Sequence, residues 1–233
     1  MPESDALFET DTSQDRLLTT LERLLTLGAT EVRDTLDQAS QLVAEALRAD
    51  KVDVFVHDPS KDTLVARGTS DTPMGRHQQQ IGLDWLPVAN GGRTVFVFQT
   101  GTPYRTGQAD QDPDELIGVK QALGIRSTIA VPLDVNGQRR GVLLANSAEP
   151  ERFTEADLHF LQAVARWIGM IMHRAELVEQ ITRDAAEQAR RVAADEMITI
   201  LAHDLRAPLA PLQGRIEMLG LRAEREGRQR DVA

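Results

Sequence analysis

The sequence predicts an α+β fold that runs on into one long helix, and three features carry the prediction. Apolar residues recur at three- and four-residue steps before Asp50, alternate singly after it, and return to helical spacing from Thr154. Asn136-Gly137, a preferred two-residue hairpin turn, lies between the two most strand-like runs. The last helical run meets no clear stop before Pro208, a length that means coiled coil or helical bundle. The order is helices, a mixed α/β middle and a long helix, and nothing repeats internally.

The elements follow in turn. Residues 1–14 are polar and read as a flexible tail. Leu17, Leu18, Leu21, Leu24 and Leu25 make a helical face that Gly28 ends. Thr30 is a plausible N-cap for a second helix with Leu36, Ala39, Leu42, Val43, Ala46 and Leu47 on one side. Val52, Val54 and Val56 alternate with Asp53, Phe55 and His57 as a strand, and Leu64 to Gly68 returns across an Asp58 to Asp62 turn.

Residues 70–92, rich in Gly, Pro, Gln and Asn, read as a long loop with short helical pieces. Thr94 to Phe98 is strand-like by propensity. Ser127 to Val135 and Arg140 to Asn146 form the hairpin. Thr154 and Asp157 then open the long helix as a capping box with Asp in place of Glu. A seam of alternating fours and threes runs Val164, Ile168, Ile171, Ala175, Val178, Thr182, Ala185, Ala189, Val192. It weakens between 182 and 194, so strong pairing is expected at its two ends, with a softer connector between.

Composition narrows the chemistry. The chain has 233 residues, 41% hydrophobic and 27% charged, with 26 Lys+Arg against 36 Asp+Glu and a net charge of −10. A net anion without a concentrated basic patch argues against nucleic-acid binding. Cysteine is absent, which excludes disulfides, thiolate metal sites and thiol nucleophiles. Neither a signal peptide nor an 18-residue apolar run occurs, so a soluble, cytoplasmic protein without membrane contact is expected.

Three segments carry a family resemblance: Ile129-Ala130-Val131-Pro132-Leu133, Gly141-Val142-Leu143-Leu144-Ala145, and Arg152-Phe153-Thr154-Glu155-Ala156-Asp157-Leu158 with Leu161 and Ala165. In this order they resemble a GAF domain, over residues 15–176. The resemblance implies a sheet of about six antiparallel strands, with helices on one side and a small-molecule pocket on the other. It also implies that Asn90-Gly91-Gly92-Arg93-Thr94 begins a short helix ending at Gly101, against propensity.

Members of that family bind cyclic nucleotides, bilins, haem, iron or small organics, and some reduce methionine sulfoxide. Reductase and covalent-bilin versions need cysteine, and of the cyclic-nucleotide pattern only Asn146 remains. Haem would need an axial His, yet His57, His77, His159 and His173 match no motif and read as surface or hydrogen-bonded residues. His159 and His173 lie roughly 21 Å apart along a helix and cannot share a metal. No metal site and no cofactor are identifiable. Trp85, Phe96, Phe98, Tyr104 and Ile117 are candidate pocket liners, with core packing the better-supported role. The ligand is unknown.

The sharpest motif is Ala202-His203-Asp204-Leu205-Arg206-Ala207-Pro208-Leu209. It resembles the His-(Asp/Glu)-x-x-x-Pro box of the dimerisation and phosphoacceptor domain of sensor histidine kinases. Helical geometry bears on it independently: Ile198, Leu201, Leu209, Leu212, Ile216 and Leu219 fall within about 40° of Leu205, and His203 lies roughly 160° away. A neutral imidazole on the wet face can attack a γ-phosphate, while the adjacent carboxylate of Asp204 orients it and takes up charge. Pro208 removes a backbone N–H and loosens the turn holding His203, a candidate helix bend.

The resemblance implies a division into a GAF sensory domain (15–176), a coiled-coil signalling helix (177–195) and a partial phosphoacceptor domain (196–233). Glu224 to Asp231 suits the start of an interhelical loop. The ATP-binding domain has no counterpart here, so ATP and Mg2+ are expected only for a catalytic domain outside this chain, which is a piece of a longer protein or a natural truncation. The expected function is the sensory and phosphoacceptor part of a two-component sensor histidine kinase. It would act as a homodimer through the long helix and pass phosphate from His203 to a response-regulator receiver Asp. The alternative is a non-catalytic dimeric GAF adaptor whose long helix binds a partner. A transcription-factor or cyclase fragment is a third possibility, against which the His203 motif counts.

Overall fold

The computed structural model describes residues 15–27 and 32–230; within the last helix, side chains are described as far as Leu201 and at Met218. The tail to residue 14 and the Gly28 and Thr30 boundary signals lie outside the described residues. The chain divides into two compact units, to Glu176 and from Leu177.

The first unit begins with helices α1 (15–25) and α2 (Val32–Leu47). Strands β1 (Lys51–Asp58) and β2 (Thr63–Thr69) form the expected hairpin. The segment read as a loop is more ordered than its composition suggests. It holds α3 (Pro73–Gln80) and the short strand β3 (Trp85–Pro87). Thr72 caps α3 by accepting from Gly75 N at 3.1 Å, with Pro73 in the first turn, where its missing N–H costs nothing.

Helix α4 (Arg93–Thr100) replaces the strand that propensity favours, as the family pattern implied, and closes on Gly101 at φ 74°. Arg139 secures that end by donating to Phe98 O at 3.0 Å. Strand β4 (Tyr104–Thr106) had no sequence signal; three residues cannot display an alternation. Strands β5 (Ser127–Val135) and β6 (Gln138–Ser147) join through Asn136-Gly137, both at positive φ as a type I′ turn requires.

The six strands form one antiparallel sheet in the order β3-β2-β1-β6-β5-β4. Alternation sorts its two faces. Val52, Val54, Ile129, Val131, Leu143 and Ala145 pack under the helices in the main core with Leu36, Val43 and Leu24. Phe55, Ala130, Val142 and Leu144 point the other way, against Leu64, Leu86, Val95 and Val97.

Helix α5 (Glu155–Arg230) opens with the predicted reciprocal cap: Asp157 N donates to Thr154 Oγ1 at 3.3 Å, and Thr154 N donates to Asp157 Oδ2 at 2.8 Å. Its early turns, to Glu176, belong to the first unit. There Leu161, Val164 and Ile168 are wholly buried in the main core. That corrects one expectation. The first members of the supposed pairing seam are spent inside their own domain, because three- and four-residue spacing marks an apolar face without saying what covers it.

A second correction concerns residues 224–231. The backbone is helical through Arg230, past Pro208 and Gly227. A single Gly costs a helix only about 1 kcal/mol against Ala, and the surrounding Arg, Glu and Gln are good helix formers. Among the described residues no helix is long and apolar enough to cross a membrane.

Candidate functional site

The face of the sheet turned away from the long helix carries an unusual set of side chains at one end. Cross-strand register sets Lys51 of β1 beside Asn146 of β6, and Asn146 beside Thr128 of β5. These three polar residues form a row across the central strands, on the same face as Phe55 and Leu144. They floor a cavity of about 20 Å3, room for roughly one water. Gln78 of α3 and Thr94 of α4 close its sides; Leu83, Glu115, Val119 and Leu123 come from the covering segments.

Lys51 is 2% exposed and Asp53 entirely buried, so each charge requires the other. Lys51 Nζ lies 2.7 Å from Asp53 Oδ2 and also donates to Gln78 Oε1. Asp53 Oδ1 accepts from Gln78 Nε2 and from Thr69 Oγ1, both at 2.9 Å. Asp53 Oδ2 has the ion pair but no contact of hydrogen-bond geometry. Asn146, 1% exposed, accepts from Thr128 Oγ1 at 2.8 Å on Oδ1, while its Nδ2 has no acceptor.

A second polar cluster fastens the cover. Arg93, at the start of α4, grips Asp112 through Nε and a terminal nitrogen at 2.6 and 2.8 Å and reaches Asp114 at 3.0 Å. Tyr104 donates to Asp112 Oδ2 at 2.5 Å, and Lys120 Nζ donates to Asp112 O at 2.7 Å. The Arg93 guanidinium hydrogen bonds hold the Asp112 carboxyl well below the usual carboxylate range. Burial, with the bond to Asp112, pushes the Tyr104 phenol up to about 12. Glu115 is raised by burial despite accepting from Leu116 N at 2.8 Å. Residues 118–122 of the cover form one π-helical turn, a rare geometry often found at functional sites.

None of the five candidate pocket liners, for which core packing is the better-supported role, borders the cavity. Trp85 is 44% exposed beneath Lys61, and Ile117 is 68% exposed. Phe96 is 38% exposed, with Arg93 lying over its ring. Phe98 lies against His57 with the rings tilted and, like Tyr104, packs against the smaller core. The aromatic residues drew attention by size, whereas the polar groups on the cavity floor, Lys51, Thr128 and Asn146, come from strand ends. A Lys and an Asn falling on the apolar face of alternating strands was the signal available.

His57 bonds Asp62 Oδ1 at 2.9 Å, and His159 lies 3.7 Å from Glu155. Among the described residues no group of three or more His, Asp or Glu side chains could hold a metal ion. His203, Asp204 and Pro208 fall within the helical backbone of α5, and their side chains lie outside the described residues.

Residues 31–172 match the sequence pattern of the GAF domain. A curated relative, the methanogenesis regulatory histidine kinase FilI of Methanothrix harundinacea, is 24% identical over 192 residues, covering 77% of this chain. The chain spans 22% of that relative's length. Among solved structures, the GAF domain of a phosphoenolpyruvate-protein phosphotransferase from Coxiella burnetii superposes at TM-score 0.60. It is 19% identical and covers 72% of this chain and 96% of its own. The free methionine-R-sulfoxide reductase of Neisseria meningitidis, solved with its substrate, superposes at 0.58 with 22% identity, over 70% and 91%.

Proposed function

The chain belongs to the GAF domain family, and from that premise we propose that its first unit is the sensory module of a cytoplasmic two-component histidine kinase. On this reading the unit responds to a small ligand in the cavity over Lys51 and Asn146. The response governs phosphorylation of His203, which passes phosphate to the receiver Asp of a response regulator. ATP and Mg2+ act in a catalytic domain outside this chain.

The observation that carries the reading is the pairing of a GAF domain with a His203-Asp204-x-x-x-Pro208 box on the same continuous helix. Likeness to a regulatory histidine kinase supports it. At His203 the imidazole attacks the γ-phosphorus, the bond to the leaving ADP oxygen breaks, and Asp204 stabilises the imidazolium that develops. Phosphoryl transfer of this kind is chiefly positioning and electrostatics.

The test is acid-labile, base-stable phosphate on the whole gene product labelled with radioactive ATP. Phosphate that maps to His203 and vanishes in His203→Gln, with dimerisation intact, is the expected result. Absence of label, or label that survives the substitution, defeats the phosphoacceptor reading. The exposed apolar residues Leu177, Val178 and Ile181 also suit a non-catalytic adaptor that docks a partner on its long helix. That alternative predicts that His203→Gln leaves function unchanged.

A further inference from the structure

We propose that the cavity of the sensory unit is selective for a small carboxylate, held by Lys51 and Asn146. The inference rests on the sensory reading above and names the ligand class for that site. It follows from counting donors and acceptors on the cavity floor.

Every floor acceptor already has a donor. Asn146 Oδ1 accepts from Thr128, and Gln78 Oε1 accepts from Lys51. Asp53, which does not border the cavity, gives Oδ1 to Gln78 and Thr69 and turns Oδ2 to Lys51. Donors are left over. Asn146 Nδ2 is buried with no acceptor. Lys51 carries three N–H groups; Gln78 takes one by hydrogen bond, and Asp53 Oδ2 holds the ammonium as an ion pair without hydrogen-bond geometry.

The two residues are direct partners in the antiparallel β1–β6 ladder. Their side chains therefore rise side by side from one face, about 5 Å apart at Cβ. Two adjacent donors, whose neighbouring acceptors Asn146 Oδ1, Gln78 Oε1 and, in the cover, Glu115 Oε1 already have donors of their own, match a group bearing two acceptor oxygens and no hydrogen. A carboxylate is such a group. A primary amide would turn its own NH2 onto one of the donors, and an ammonium would face both. An unsatisfied buried amide is costly to maintain, so its place on the wall of a cavity calls for a partner in that cavity.

The space of about 20 Å3 is too small for more than a water in this conformation. Admission of a ligand therefore displaces the cover contributed by Val119 and Leu123, which lies at the π-helical turn.

The experiment is an amide NMR titration of the full chain with acetate and propionate, against acetamide and methylammonium at matched ionic strength set with chloride. Saturable shifts confined to β1, β6 and the cover, produced by the two carboxylates alone, are the expected result. Asn146→Leu should weaken them about tenfold. The wild-type comparison of acetate with acetamide decides the matter even where that variant fails to fold. Binding of acetamide or methylammonium at the same resonances without acetate would overturn the carboxylate class and leave the sensory cavity standing. Silence from all four probes would also overturn it. His203 phosphorylation, read separately, decides the fate of the kinase reading.

Discussion

Tyr104 is the sole tyrosine of the chain, so the phenolate absorbance reports on one site. Its hydroxyl donates to Asp112, and in the native protein it should ionise near 12 rather than 10. In Asp112→Asn the midpoint should fall toward the ordinary value, because the carboxylate that holds the proton is gone. The same variant tests the cover's fastening. The folded-state pKa of Asp112 lies below its unfolded value, so its stabilisation is present above about pH 3.8 and is lost as acidification passes through the folded value. Asp112→Asn should lose about 2 kcal/mol at neutral pH, the range for charged hydrogen bonds. Its acid limb in thermal melts should be flatter than the parent's. An unchanged tyrosine titration would show that the cluster does not persist in solution.

At the scale of elements, the contact of α5 with β5 depends on Gly169. A Cβ there would sit 2.3 Å from the Asp134 carbonyl oxygen. Helix propensity alone predicts that Gly169→Ala stabilises by about 1 kcal/mol. The clash is with backbone, which cannot rotate aside, so a net loss of about 1–3 kcal/mol is expected. Urea denaturation decides the sign, and the exposed neighbour Met170→Ala is the control, within about 0.5 kcal/mol of the parent. Much of this architecture was legible beforehand. The β1–β2 and β5–β6 hairpins, the Thr154 cap and the long helix each announce themselves through period or turn chemistry. Strands β3 and β4 do not, since three residues hold too little pattern. Helix α4 reads as a strand through Val95, Phe96, Val97 and Phe98, and only the family pattern argued otherwise. The cavity was legible least. Lys51 and Asn146 belong to separate strands far apart in sequence, and only the register of the sheet makes them neighbours.

At the scale of the molecule, the two units divide the apolar surface unequally. The first buries most of its apolar helix residues, with Leu18, Leu25 and Met170 among the exceptions, while the second leaves Val178, Ile181, Ile198 and Leu201 exposed. Exposed apolar pairs such as Val178 with Ile181 and Ile198 with Leu201 suit interaction faces, and self-association is the occupant the proposed kinase requires. Sedimentation equilibrium should return a dimer. The pair Val178→Glu and Ile181→Glu should return a monomer whose first unit melts as before. A parent that sediments as a monomer would remove homodimerisation from the reading.

The two-sided sheet carries a further consequence. Asn146 floors the cavity, and Ala145, one peptide bond away, supports the helices on the reverse. The strand is thus a plate one residue thick, with the cavity floor on one surface and a bearing for the helices on the other. Whatever pushes on Asn146 tilts the same peptide plane that seats Ala145. The cavity floor and the seat of the helices share a covalent link, and neither can be re-cut without the other registering the change.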